Sequence, residues 1–295
     1  MAQILAVGVA TLDIVNEVET WPAEDTEVRA LAQTVRRGGN ATNTLVVLSQ
    51  LGHRCEWAGV MVDAPAATVI QADLEQHRIG TAYCRHVARG TVPTSYITLS
   101  RATGSRSIVH YRDLPEFDFT SFAEIPLETF DWVHFEGRDV RETLAMMRSV
   151  REKHPQCPLS VEIEKPRPGI DALLPWADLI VTTAMVAEHR GCSPEALLKD
   201  LQTHSPAADV VCTLGNQGAI ALDGGGTLVR RPAFPPPQLV DSVGAGDTFN
   251  AAMIDSRLRG NGLSESLRFA CALAGKKCAR RGLDGFSVSD RGMDE

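Results

Sequence analysis

The stretch from Leu239 to Asn250, LVDSVGAGDTFN, joins an apolar approach to two glycines around one alanine, then an aspartate and helix-forming text up to Leu258. Gly244 and Gly246 let the backbone approach a bound group without side-chain collision. A helix starting here leaves its first N–H groups unpaired, which makes its end an anion site. A carboxylate at Asp247 repels such an anion unless it has a task of its own. The task this placement suits is taking a proton from a hydroxyl while the N–H groups of Ala245, Gly246 and Asp247 hold the phosphoryl group which that hydroxyl attacks. A helix cap is the other use of an aspartate here.

Further polar residues stand where strands and helices meet. Asp13 follows the apolar run QILAVGV, and ligands of open α/β sheets bind at the carboxyl ends of such strands. It is a substrate contact or a turn residue. Gly38, Gly39 and Asn40 open a helix that runs to about Leu51 and stops at Gly52. Asn40 and Asn43 share one face of its first turn, and amides carry donors and acceptors together, as recognition of a neutral polyol requires. Asn40 as an N-cap is the alternative. Glu162 and Glu164 alternate along a strand and share a face, where Lys165 or Arg167 can neutralise them. In AFPPP, Pro235 to Pro237 cannot donate to a ladder and form a rigid edge.

The elements that must position these residues alternate between short apolar runs and helical text. Trp132 to Gly137, Leu159 to Glu164, Leu179 to Thr183 and Val210 to Gly215 are such runs, and Cys55 to Ala88 reads as strand, helix, strand. The pattern predicts an α/β fold: one domain, residues 1–295, with a central, mostly parallel sheet and helices on both faces. Two regions alternate differently, about 15–37 and 93–112, with a turn at Arg101 to Gly104 in the second. They predict a separate lid sheet of four strands, one face of which must close on substrate or pair with a second subunit. Asp223 to Gly226 reads as a hairpin loop.

Composition narrows the partners. The 295-residue chain carries a net charge of −8 with its basic residues dispersed, so a nucleic-acid footprint is missing. No apolar run approaches the roughly 18–20 residues of a membrane span, and MAQILAVGV has no basic leader, so a cytoplasmic protein is expected. Seven scattered cysteines without a C-x-x-C pair read as reduced thiols. The first strand lacks the G-x-G-x-x-G of a dinucleotide site.

DSVGAGDTFNAA resembles the C-terminal signature of the ribokinase-like (PfkB-type) carbohydrate kinases, and RGGNATN carries that family's GGNA-x-N pattern. Within the family the likeness is to the ketohexokinase branch, over nearly the whole chain, through WPAEDTEVRAL, HFEGRD, VEIEKPR, AFPPPQLVD, LRFACALAGKKC and GLDGF. The resemblance implies an ATP-dependent kinase acting on a small neutral sugar, with fructose phosphorylated at its first hydroxyl. Ribose or adenosine as acceptor, or a catalytically silent sugar- or nucleotide-binding regulator, are the alternatives. It implies Asp247 as the base, Gly244, Ala245 and Gly246 in the anion hole, and Arg106 on a phosphoryl oxygen. Sugar contacts would come from Asp13, Gly39, Asn40 and Asn43, with Asp25 reaching across from the partner of a lid-paired homodimer. Phe234, Pro235, Pro236, Gly215, Gly218, Cys271 and Gly246 would line the nucleotide site. K⁺ would sit on Asp241 with carbonyls from Val243 and the Lys276 to Gly282 loop. The family's N-x-x-E glutamate is missing, since Thr182 to Val186 occupies that region, so Mg²⁺ would fall to waters held by Glu136, Glu162 or Glu164.

Overall fold

Runs such as Trp132–Glu136 and Leu159–Ile163 are buried at every position, which is what strands covered on both faces require. A computed structural model describes residues 1–292. The first half runs β1 (Gln3–Val7), β2 (Thr11–Val18), β3 (Ala32–Gly38), α1 (Asn40–Gln50), β4 (Arg54–Ala58), β5 (Val60–Val62), α2 (Ala67–Gln76), β6 (Ile79–Gly80), β7 (Arg85–Val87), β8 (Thr94–Ser100) and β9 (Arg106–Tyr111). After the short α3 (Phe119–Phe122) come β10 (Trp132–Glu136), α4 (Val140–Lys153), β11 (Leu159–Ile163), β12 (Leu179–Thr183), α5 (Ala184–His189) and α6 (Pro194–His204). The chain continues through β13 (Asp209–Thr213), β14 (Ala219–Leu222), β15 (Leu228–Arg231), α7 (Ala245–Leu258) and α8 (Leu263–Cys278).

Nine strands form the main sheet in the order β15-β14-β13-β12-β11-β10-β1-β4-β6, parallel except for the β14 and β15 edge. Helices cover both faces. Leu45, Leu48, Phe249 and Phe269 from α1, α7 and α8 build the core on one side. Met147, Val150, Leu197 and Leu201 from α4 and α6 build it on the other. The expected α/β architecture is therefore present.

A second sheet, β3-β2-β8-β9, is the lid. Its registers set Asp13 beside Arg36 and Ser95, and Ser95 beside His110, so these four share one face. The next row, Val35, Ile14, Tyr96 and Val109, belongs to the opposite face, and Val35, Tyr96 and Val109 are exposed.

Local details differ from the sequence reading. Asp13 lies inside strand β2 rather than just past β1, because Thr11 to Val18 is extended text that pairs along its length with β3 and β8. Glu27 to Leu31 is not strand; pairing begins at Ala32. The Cys55 to Met61 run breaks at Gly59 into β4 and β5, and β5 leaves the main sheet to pair with β7. Asp223 to Gly226 is the β14–β15 hairpin, as read.

Candidate active site

Strand order reverses between β1 and β10, and in open α/β sheets the crevice at the carboxyl ends beside such a reversal takes the ligand. A cleft of about 320 Å³ lies there. Val9, Glu136, Glu162, Thr183 and Thr213 contribute from the ends of five neighbouring strands, the starts of α1 and α7 from one side, and the inner lid face from above.

Helix α7 begins at Ala245, with Gly244 in the N-cap place at φ 86° and no capping side chain. Asp247 is thus the third helical residue, and it caps nothing. Among the described residues the N–H groups of Gly246 and Asp247 have no hydrogen-bond partner, whereas that of Ala245 donates to the Ser242 carbonyl at 3.3 Å. Of the three amides expected to hold the phosphoryl group, two are thus without partners among the described residues, and Ala245 is tied back. The buried Asp247 carboxylate accepts the Asn43 amide at 2.6 Å, and Asn43 Oδ1 accepts from Arg37 at 2.7 Å. Burial first, then the Glu162 charge, raises the Asp247 carboxyl well above the usual range, which favours proton uptake.

Asn40 opens α1 without capping it; Gly39, at φ 103°, holds the cap position. A Cβ on Gly39 would lie 2.0 Å from the Val9 carbonyl, so only glycine permits this close turn. The missing cap is supplied from β10: Glu136 Oε1 accepts the N–H of Ala41 at 2.7 Å and of Val9 at 3.3 Å. With Oε1 so engaged, Glu136 keeps its other carboxylate oxygen, which faces Arg138 at 3.8 Å. Asn40 Nδ2 donates to Glu162 at 2.9 Å and to Glu164 at 3.2 Å, and Asn250 Nδ2 donates to Glu162 at 2.8 Å. Asn250 is 1 % exposed and its Oδ1 has no partner among the described residues. A buried unsatisfied oxygen beside a carboxylate fits the hydration shell of a hard cation, since Mg²⁺ keeps several waters and takes few protein ligands. Burial pushes the Glu162 carboxyl up to about 7. Val186, at the missing N-x-x-E glutamate, is buried in the core.

Asp13, Gly39, Asn40 and Asn43 all line the cleft, and Asp13 is fixed by the Thr11 hydroxyl at 2.8 Å. Arg106 lines it too, donating to Ser242 Oγ at 2.9 Å. Asp25 is exposed in the β2–β3 connection, at φ 57°, and lies outside this chain's own cleft. Of the residues expected on the nucleotide, Gly246 lines this cleft, whereas Phe234, Pro235, Pro236, Gly215, Gly218 and Cys271 lie outside its lining. A Cβ on Gly218 would lie 2.1 Å from the Arg231 carbonyl, and one on Gly275 would lie 2.2 Å from that of Phe234. Phe234 is exposed and Cys271, one turn before Gly275, is buried; Pro235 and Pro236 follow Phe234 in the chain, and Gly215 opens the short turn that leads to Gly218.

Asp241 does not stand free for K⁺. Its carboxylate faces Arg36 and the fully buried Lys277, each at 3.1 Å, and accepts the Val243 and Gly282 N–H groups at 2.9 and 3.2 Å. Lys277 also donates to the Asp241 carbonyl at 2.7 Å. The Asp241 carboxylate and carbonyl are thus committed to the chain's own cations, and do not fit a further cation at that carboxylate.

Sequence reasoning missed His110 and Arg138 and read Lys165 and Arg167 as neutralising the strand-end glutamates; all four line the cleft. Arg138 is held by Glu116 and faces Glu136 at 3.8 Å; Lys165 faces Glu164 at 3.9 Å; Arg167 Nε is buried without a partner among the described residues. The strand-end rule applied to Asp13 would have found three of them, since HFEGRD and VEIEKPR run off β10 and β11.

The profile of the pfkB family carbohydrate kinases matches residues 1–290. The chain is 40 % identical over 293 residues to ketohexokinase of Mus musculus, covering 96 % of this chain and 98 % of that protein. It is 27 % identical to ribokinase of Bacillus subtilis (strain 168), covering 100 % and 99 % of the two. The solved Arabidopsis thaliana ribokinase complexed with ribose and ATP superposes with a TM-score of 0.77 at 21 % identity, over 98 % of this chain and 95 % of that one, a likeness of fold. With the glycine-flanked aspartate at the start of α7 bonded to Asn43 of α1 at the cleft, the chain belongs to the pfkB family of carbohydrate kinases and is an ATP-dependent sugar kinase.

Proposed function

We propose that the acceptor is a neutral ketohexose, fructose before others, and that the product carries phosphate on its first carbon. The observation that carries this reading is the cleft's hydroxyl-binding set, Asp13, Asn40 and Asn43, gathered around Asp247 with an open pair of N–H groups beside it. The 40 % identity to mouse ketohexokinase supports the choice of sugar.

Asp247 takes the proton of the attacking hydroxyl, and Asn43 holds its carboxylate toward that hydroxyl. The Gly246 and Asp247 amides stabilise charge on the transferred group at the positive end of α7. Phosphoryl transfer is otherwise a matter of positioning and charge. Lys165 and Arg167 are suited to the nucleotide's phosphates, and Arg106 closes on them from the lid. Arg138, held between Glu116 and Glu136, adds no free cation at the sugar end. Glu162, Glu164 and Asn250 Oδ1 would hold the waters of Mg²⁺, which neutralises charge on the phosphate oxygens. The adenine would lie along Phe234 to Pro236. A lid-paired homodimer, with Asp25 completing the partner's sugar site, is supported by the exposed Val35, Tyr96 and Val109 of the outer lid face. Seven free cysteines are consistent with a cytoplasmic setting.

The test is kcat/KM, with the product's phosphate position read by NMR, for fructose, tagatose, ribose, adenosine and fructose 6-phosphate. Fructose giving the 1-phosphate with the highest value is expected. A nucleoside or phosphorylated sugar ahead by more than about tenfold, roughly 1.4 kcal/mol of transition-state discrimination, overturns the assignment.

A further inference from the structure

The last two side chains of β3 before the glycines, Arg36 and Arg37, point to opposite faces, as neighbours in a strand must. Two free cations beside the cleft would suit an anionic substrate. Neither is free. Arg37 is 5 % exposed, and its guanidinium donates to Asp73 on α2, to Thr42 Oγ1 at 3.0 Å and to Asn43 Oδ1 at 2.7 Å. Arg36 crosses to Asp241 at 3.1 Å.

We propose that these two arginines are positioning residues for the two halves of the transfer machinery: Arg37 orients the base through Asn43, and Arg36 orients the anion hole through Asp241. The inference rests on the kinase reading above and adds residues that touch neither substrate nor nucleotide.

For Arg37 the argument is one of donors and acceptors. A guanidinium only donates, so the Asn43 oxygen must face it, and the Asn43 NH₂ is thereby turned onto Asp247 at 2.6 Å. Without Arg37 the Asn43 amide is held from one side only, and its position against the Asp247 carboxylate is no longer fixed. Asp73 anchors the guanidinium from the far side and in turn faces His77, which bonds Asp284 at 2.7 Å in the loop after α8. For Arg36 the argument is one of loop shape. Asp241 Oδ1 accepts the Val243 N–H at 2.9 Å, one residue before Gly244, and Oδ2 accepts the Gly282 N–H at 3.2 Å. Of the groups on that carboxylate, Lys277, Val243 and Gly282 belong to the body, and Arg36 alone comes from the lid.

The test is a pair of double-mutant cycles on the full chain, with ATP and the acceptor that wild type turns over. Arg37→Met should lower kcat about 10²-fold with KM for ATP within about threefold, since misplacing a reacting group by about 1 Å costs that much. In the Asp247→Asn background the same change should cost less than about threefold, because its effect passes through the carboxylate. Arg36→Met should cost about tenfold in both backgrounds, because it acts on the amides. A merely structural role for Arg37 predicts equal losses with and without Asp247, and that result overturns the proposal, as does an Arg37→Met kcat within about threefold of wild type. If Arg37→Met does not fold, Asp73→Asn, which keeps the guanidinium and frees its anchor, enters the same cycle. About a tenfold loss that vanishes with Asp247→Asn supports the proposal, and equal losses refute it. A wild type that phosphorylates no acceptor removes the kinase reading itself, an outcome visible before any variant is made.

Discussion

Glu162 is a buried carboxylate with two amide donors and, among the described residues, no cation paired with it, and burial raises its pKa. The folded state binds this proton more tightly than the unfolded chain, so the group favours folding below its unfolded pKa and that contribution is lost as pH rises from about 4.5 to about 7. In metal-free protein, Glu162→Gln should therefore raise stability at pH 8 by on the order of 1 kcal/mol and change little at pH 5, as read by urea unfolding at the two pH values. Asn250→Leu removes the orphan oxygen; it should weaken Mn²⁺ binding to the ADP complex about tenfold, measured by paramagnetic resonance, while ADP alone binds as before. At this scale the sequence was legible where a motif packs several roles into adjacent residues, as around Asp247 and Asn43. Arg37, Arg138 and Glu136 were opaque because their partners, Asp73, Glu116 and the Ala41 amide, lie on other elements, and pairing across elements leaves no local pattern.

Most strands of the main sheet are legible in their own text, and the lid is legible in part. Period-two alternation in β2, β8 and β9 announced a half-covered sheet, and the registers then put Asp13, Ser95 and His110 on the cleft side together. Where β3 begins was not legible, because Glu27 to Leu31 alternates as well as a strand does yet, among the described residues, makes one backbone bond, from Leu31 to Glu17. The crossing of the Phe234 segment over α8 depends on Gly275, where any Cβ would strike the Phe234 carbonyl at 2.2 Å. Gly275→Val should displace that segment and raise KM for ATP by about tenfold or more with kcat at saturation nearly kept, the signature of lost uniform binding. Equal KM values would place the adenine elsewhere.

As a whole the molecule is a sheet with two filled cores and one unfilled face, the outer side of the lid. Composition and strand alternation were enough to foresee the sheet, since both depend on local runs, but they say nothing of how many copies assemble. Sedimentation should find a dimer at assay concentration, and Tyr96→Asp with Val109→Asp, charges set opposite one another on that face, should split it and lower activity along with it. A wild-type monomer with full activity would contradict the shared site. The central claim, that this chain moves a phosphoryl group with Asp247 as its base, is tested most directly by a single turnover of Asp247→Asn with saturating ATP and fructose, alongside calorimetric ATP binding. The account predicts transfer slower by at least about 10²-fold with nucleotide affinity unchanged, and transfer within a few-fold of wild type would contradict it.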